Sequence, residues 1–228
     1  MYRPFEAFHI VGRCVAVIGS VGKTACLRHL SRRLSGTVIL TTSTHMYPFP
    51  GMTLVNADGE PTRENRRQVL HELRSALAAS RVVCLGRRLP SGKLSDPSGA
   101  TPFERLSDEA DYVVVEADGS AGHPLKAHRP FEPVIPACSD MTVGVVGASG
   151  LGQPASAACH CPGLFCAIAG SDPDDPVRPE HVAAVLNREA LARCWLVNQA
   201  DALPNPAVVR RLCDLINGDA FPCSLGCR

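Results

Sequence analysis

The sequence predicts an α/β fold: a doubly wound, mostly parallel sheet with helices on both faces. Three observations predict it. Short β-rich runs alternate with helical patterns along the chain. The β-rich runs are apolar throughout instead of alternating, as in parallel strands covered on both faces. A glycine-bearing turn follows the first run and opens the first helix, where a doubly wound sheet places its ligands.

The first run is Cys14–Ile18, and a helix pattern follows over Gly22–Leu34 with Leu27, Leu30 and Leu34 on one face. Gly36 stands where a C-terminal glycine would close that helix. The second run is Thr37–Thr41. A helix is predicted over about Arg63–Ser80, with Val69, Leu70, Leu73 and Leu77 aligned. The third run is Arg81–Leu85. Thr101, Pro102 and Glu104 then read as an N-cap, a first-turn proline and the partner of a capping box. The fourth, fifth and sixth runs are Tyr112–Val115, Met141–Val146 and Trp195–Val197. A last helix fits Pro206–Ile216 with Asn205 as its cap. Segments 86–102 and 119–136 are rich in Pro and Gly and read as linkers; no internal repeat is visible.

A chain of 228 residues fits one α/β domain spanning 1–228. The net charge of +1 offers no electrostatic reason to expect a nucleic acid or an anionic membrane as partner. No apolar stretch approaches the roughly 20 residues of a membrane span. The 11 cysteines are odd in number, and Met1–Ile10 holds no apolar run of the kind a secretory signal needs, so reduced thiols and a cytoplasmic location are expected. Cys14, Cys26, Cys84 and Cys213 sit in apolar patterns and read as small core residues. Cys159-His160-Cys161 with Cys166 has no common zinc spacing, and neither has Cys223 with Cys227.

The strongest chemical signal is Gly19-Ser20-Val21-Gly22-Lys23-Thr24, between an apolar strand and a helix. A helix N-terminus presents unpaired N–H groups and partial positive charge to an anion, and glycine lets the backbone wrap a phosphate. The pattern is that of a P-loop nucleotide-binding protein. Lys23 would bind the β- and γ-phosphates, and the Thr24 hydroxyl would ligate Mg²⁺. Val17 stands where the full motif has its first glycine, so this is the shorter Gly-x-x-Gly-Lys-Thr form. The bland alternative is a glycine turn with a surface lysine.

Glu116 and Asp118 end the fourth run, where an acidic residue would hold Mg²⁺ directly or through water; an exposed acidic turn is the alternative. Asn198-Gln199-Ala200-Asp201 follows the sixth run and parallels the Asn-Lys-x-Asp of GTPases. By that analogy Asp201 would read guanine and Asn198 would brace the loop. Thr42 and Thr44 could reach the metal or γ-phosphate, and His45 could be a base or a substrate contact. His123 and Lys126, in a glycine-bounded loop beside the acids, are candidates for contact with an anionic substrate.

These segments, together with Glu132-Pro-Val-Ile-Pro136 and Val143-Gly-Val-Val-Gly147, resemble the YqeC family of selenium-dependent hydroxylase accessory proteins. The most specific part is Val115-Glu-Ala-Asp-Gly-Ser-Ala-Gly-His-Pro-Leu-Lys126. The resemblance reaches from the N-terminal region to about residue 201 and implies a role in maturing a selenium-dependent molybdenum hydroxylase or its cofactor. A hydroxylase or cofactor-assembly protein would then be a partner. The segment around Cys159-His160-Cys161-Pro162 departs from a His-Arg-Pro pattern expected there.

Three functions compete at this point. The first is a Mg²⁺-dependent nucleoside triphosphatase using GTP or ATP, with Lys23, Thr24, Glu116 and Asp118 organising the nucleotide and His45 or Asp118 as candidate base. The second is a kinase or nucleotidyltransferase acting on a small acceptor near His45, His123 and Lys126. The third is a non-hydrolysing module that binds nucleotide to hold a conformation.

Overall fold

A computed structural model of the chain describes residues 10–226. The reading of Met1–Ile10 falls outside it except for Ile10, as does the Cys227 half of the last cysteine pair. The centre is β1 (Cys14–Gly19), every residue of which is buried. Parallel neighbours flank it: β7 (Tyr112–Glu116) on one side and β9 (Met141–Gly147) on the other. Beyond β7 lie β2 (Val38–Thr42), β5 (Val82–Arg88) and β4 (Thr53–Asn56), all parallel. Beyond β9 lie β11 (Cys194–Asn198) and β12 (Asp219–Pro222), also parallel. Two short strands extend the sheet past β5: β6 (Leu94–Ser95) pairs antiparallel with β5, and β3 (His45–Met46) pairs antiparallel with β6. A separate pair joins β8 (Leu125–Lys126) to β10 (Cys159–His160).

The continuous apolar runs follow from burial on both faces. Val15 and Val17 of β1 meet Cys26, Leu27 and Leu30 of α1 (Lys23–Arg33). Ala16 and Ile18, pointing the other way, meet Val182 and Val185 of α6 (Pro179–Glu189). On that second face, α2 (Arg63–Ala79) lays Val69, Leu73 and Leu77 over Ile39, Val83 and Val113. α5 (Pro162–Ala169) and α7 (Pro206–Leu215) complete it through Phe165 and Leu212. Each fully buried Leu or Val contributes about 1.5–3 kcal/mol of transfer free energy, so the layers hold the sheet from both sides. Trp195 lies directly on Gly144 of the neighbouring strand, where a Cβ would collide with its ring.

Several local expectations needed adjustment. Thr101 does not cap a helix: α3 (Phe103–Leu106) is one turn long, Pro102 is its N-cap, and no side chain caps it. Thr101 N–H is already taken by Pro97 O in a preceding turn, 2.9 Å. The first helix ends at Arg33 with Leu34 as its cap; Gly36 lies beyond, at φ 101°, packed on Asp111. The segment read as the 86–102 linker contains the end of β5 and all of β6, and 119–136 contains β8. Also unread were β3, β4, β10, β12, the short helix α4 (Ala155–Ala158), α5 and α6. α2 is capped by Thr62, whose side chain accepts from Asn65 N–H, and α7 by Asn205, which accepts from Ala207 N–H. Cys14, Cys26 and Cys84 are buried, while Cys213 is half-buried. Among the described residues, no helix is long and apolar enough to cross a membrane.

Candidate functional site

Five neighbouring parallel strands end side by side, at Thr42, Glu116, Gly19, Gly147 and Asn198. The turn from β1 into α1 stands at their centre. It is tight: β1 runs through Gly19, so Val17 remains a buried strand residue paired with Glu116 and Val143. Gly19 and Gly22 have φ of 101° and 111°. A Cβ at Gly19 would meet the Val145 carbonyl, and one at Gly22 the Asn198 amide. Ser20 N–H donates to Val145 O at 2.8 Å and Val21 N–H to His123 O at 3.2 Å, which fix the loop. The first helical bond runs from Cys26 N–H to Gly22 O, 2.8 Å. The N–H groups of Lys23, Thr24 and Ala25 precede it and have no acceptor within the helix.

Lys23 is buried and folds back over the loop. Its ammonium donates to Gly19 O at 2.6 Å and Ser20 O at 3.2 Å, and lies 3.1 Å from Asp118 Oδ1. Asp118 Oδ2 accepts from Gly19 N–H at 2.9 Å and stands 2.9 Å from His128 Nε2 and 3.4 Å from Lys126 Nζ. The other ring nitrogen of His128 meets Glu189 Oε2 at 2.7 Å, and Lys126 meets Glu132 Oε2 at 2.8 Å. Three cations (Lys23, Lys126, His128) and three carboxylates (Asp118, Glu132, Glu189) thus interlock beneath the loop.

Burial alone would push the Asp118 carboxyl up. The His128 hydrogen bond, the two lysines and Gly19 N–H outweigh it and hold its pKa below the usual value. Burial likewise works to lower the His128 pKa, and its bonds to Asp118 and Glu189 raise it above 6.5. A carboxylate on each ring nitrogen is the environment of an imidazolium.

Glu116 is placed differently. It is buried, but its Oε2 meets the Thr24 hydroxyl at 3.1 Å on the wall of an open cleft. Burial pushes its pKa up; the Lys23 charge and the Thr24 bond only partly oppose that. A carboxylate and a hydroxyl side by side at a helix N-terminus form the kind of oxygen pair that Mg²⁺ takes while keeping several waters.

Two clefts flank the loop. One, of about 430 Å³, is lined by Val21, Gly22, Thr24, Ala25, Asn198, Gln199, Asp201 and the C-terminal Ser224, Leu225 and Gly226. Asn198 ties its parts together: its amide donates to Val21 O at 3.4 Å, and its Oδ1 accepts from Leu225 N–H at 2.8 Å. Asp201 Oδ1 accepts from Ser224 Oγ at 2.6 Å. The other cleft, of about 440 Å³, is lined by the loop, Glu116, His45, Met46, Tyr47, Lys93 and residues Gly119 to Gly122.

The structure therefore brings Gly19, Ser20, Val21, Gly22, Lys23, Thr24, Glu116, His45, Asn198 and Asp201 to one rim. Thr42 and Thr44 line neither cleft. The Thr42 hydroxyl donates to Glu116 O at 2.8 Å and accepts from Thr44 N–H at 3.0 Å, because it closes the strand-end turn. Lys126 is not a solvated side chain; it is buried in the ionic cluster. His123 faces away, toward Ala157 O at 3.3 Å and the His160 ring. Asp118 is enclosed by cations, apart from the Thr24–Glu116 pair. Among the described residues, no three His, Cys, Asp or Glu side chains gather to hold a metal.

Sequence reading missed His128, Glu189, Tyr47, Lys93 and Ser224. Only His128 carried a signal. A His-Arg-Pro run was sought near Cys159, whereas it lies at His128-Arg129-Pro130.

A family model described as YqeC protein matches residues 15–163, and the chain belongs to that family. A curated relative from Escherichia coli (strain K12), named "Uncharacterized protein YqeC", is 28% identical over 209 residues. That match covers 84% of this chain and 77% of the relative. No solved structure matches the chain.

Proposed function

We propose that this member of the YqeC family is a Mg²⁺-dependent nucleoside triphosphatase that prefers GTP. By the family resemblance, it serves as a cytoplasmic accessory in maturing a selenium-dependent molybdenum hydroxylase or its cofactor. The observation that carries the nucleotide reading is the shared rim. Lys23, the Thr24–Glu116 pair and the helix N-terminus meet the Asn198–Asp201 cleft at one loop. A phosphate-binding turn and a base-sized cleft are thereby joined without an intervening element.

In this reading the triphosphate lies along the N-terminus of α1. Lys23 exchanges its bonds to Gly19 O and Ser20 O for phosphate oxygens while Asp118 keeps its ammonium in place. Thr24 and Glu116 would hold Mg²⁺, which would supply positive charge to the terminal phosphates. The Asp201 carboxylate, steadied by Ser224, accepts from the two N–H donors on one edge of guanine. Adenine presents no such pair. Of the two candidate bases, Asp118 is enclosed by cations, and His45 stands on the cleft beside Glu116.

Calorimetric titration with Mg·GTPγS and Mg·ATPγS, alongside Lys23→Ala, tests the reading. GTPγS binding that Lys23→Ala abolishes is the expected result. ATPγS binding in place of GTPγS would retain the phosphate loop and remove the guanine assignment. A folded protein that binds neither would leave the loop a structural turn.

A further inference from the structure

The second cleft is larger than hydrolysis requires. An attacking water takes about 30 Å³, whereas this space measures about 440 Å³, within the range of small-molecule sites. It lies on the far side of the loop from the Asp201 cleft and shares only Val21, Gly22 and Thr24 with it. A nucleotide with its base at Asp201 thus reaches the second cleft with its phosphate end alone.

The lining of this cleft has its own chemistry. Tyr47 is 61% exposed, one of few large hydrophobic side chains left outside the core. Its ring is covered by Lys93 Nζ at 5.2 Å from the centroid. His45 is exposed on the neighbouring β3, and the edge strands β3 and β6 place these side chains opposite the loop Gly119–Gly122. His45 and Tyr47 are exposed, and Lys93 is half-buried. An aromatic face beside a lysine and a histidine recognises a planar ring bearing negative charge.

We propose that this cleft binds a second ligand, a planar, anionic small molecule of about mononucleotide size, held by Tyr47, Lys93 and His45 beside the terminal phosphate of the nucleotide. The proposal rests on the nucleotide reading above and adds to it the class of molecule that meets the phosphate.

The test uses the full chain loaded with Mg·GTPγS, so that the Asp201 cleft is filled. AMP, GMP, CMP and UMP serve as planar anionic probes in calorimetry. Wild type is compared with Tyr47→Ala and Lys93→Ala, each first shown to take up GTPγS. The expected result is binding of at least one mononucleotide to the loaded wild type, weakened at least fivefold in both variants. No binding of any of the four, or binding that neither variant weakens, overturns the proposal. Failure of wild type to load GTPγS appears one step earlier; it overturns the nucleotide reading, and this proposal with it.

Discussion

Glu116 and Asp118 stand two residues apart at the end of one strand, and the fold treats them oppositely. Asp118 meets Lys23, Lys126, His128 and the Gly19 amide, and its carboxyl stays ionised despite burial. Glu116 meets one hydroxyl on a cleft wall, and burial drives its pKa up. The same chemistry becomes an anchor where cations surround it and keeps a face on a cleft where they do not. An acid whose charge is already matched has little to offer a metal; an acid short of positive charge gains by binding one.

Breaking this comparison begins with the anchor. Asp118→Ala removes the anion that three buried cations share, and should cost about 3–5 kcal/mol in urea unfolding. A loss below about 1 kcal/mol would mean that the cluster reorganises without it. Glu116→Gln should leave unfolding within about 1 kcal/mol of wild type and lower Mg²⁺-dependent GTP turnover about 100-fold. Equal effects of the two substitutions on stability would erase the distinction. On the base side, Asp201→Asn should weaken GTPγS binding about tenfold, the scale of a hydrogen bond to a charged group. It should also remove the preference over ATPγS, which parallel titrations would show.

The smallest effect is a pH dependence. The His128 pKa is raised in the fold above its ordinary 6.5 by Asp118 and Glu189. Its contribution to stability is full below 6.5 and is lost as pH rises through the raised folded value. Melting temperature should therefore fall over that interval, and His128→Gln should flatten the profile there. Lys23, Lys126, Glu132 and Glu189 face the same cluster and remain in the variant. An unchanged slope would place the titration elsewhere.

Much of this was legible because the relevant signals are local. Apolar runs marked β1, β2, β5, β7, β9 and β11, since a strand buried on both faces needs no partner to be recognised. The 3.6-residue spacing of Val69, Leu73 and Leu77 marked α2. The glycine turn placed the loop between β1 and α1, and with it Lys23. By contrast, β12 is a half-buried four-residue strand whose pattern carries little periodicity. Thr101, Pro102 and Glu104 spelled a helix start that the chain does not continue. Lys126 read as a contact for an anionic substrate because nothing near it in sequence announces Asp118 and Glu132 as its partners in a buried space.

The sequence by itself determined the layered α/β class, the position of the loop and the strand ends that surround it. Periodicity, glycine backbone freedom and apolar continuity are properties of neighbouring residues. Only the tertiary structure decided which acid anchors and which faces the cleft, that His128 reaches Glu189 across 61 residues, and that Ser224 closes on Asp201. Burial and ion pairing depend on what the fold brings from far along the chain, and a side chain's charge state is set by that company.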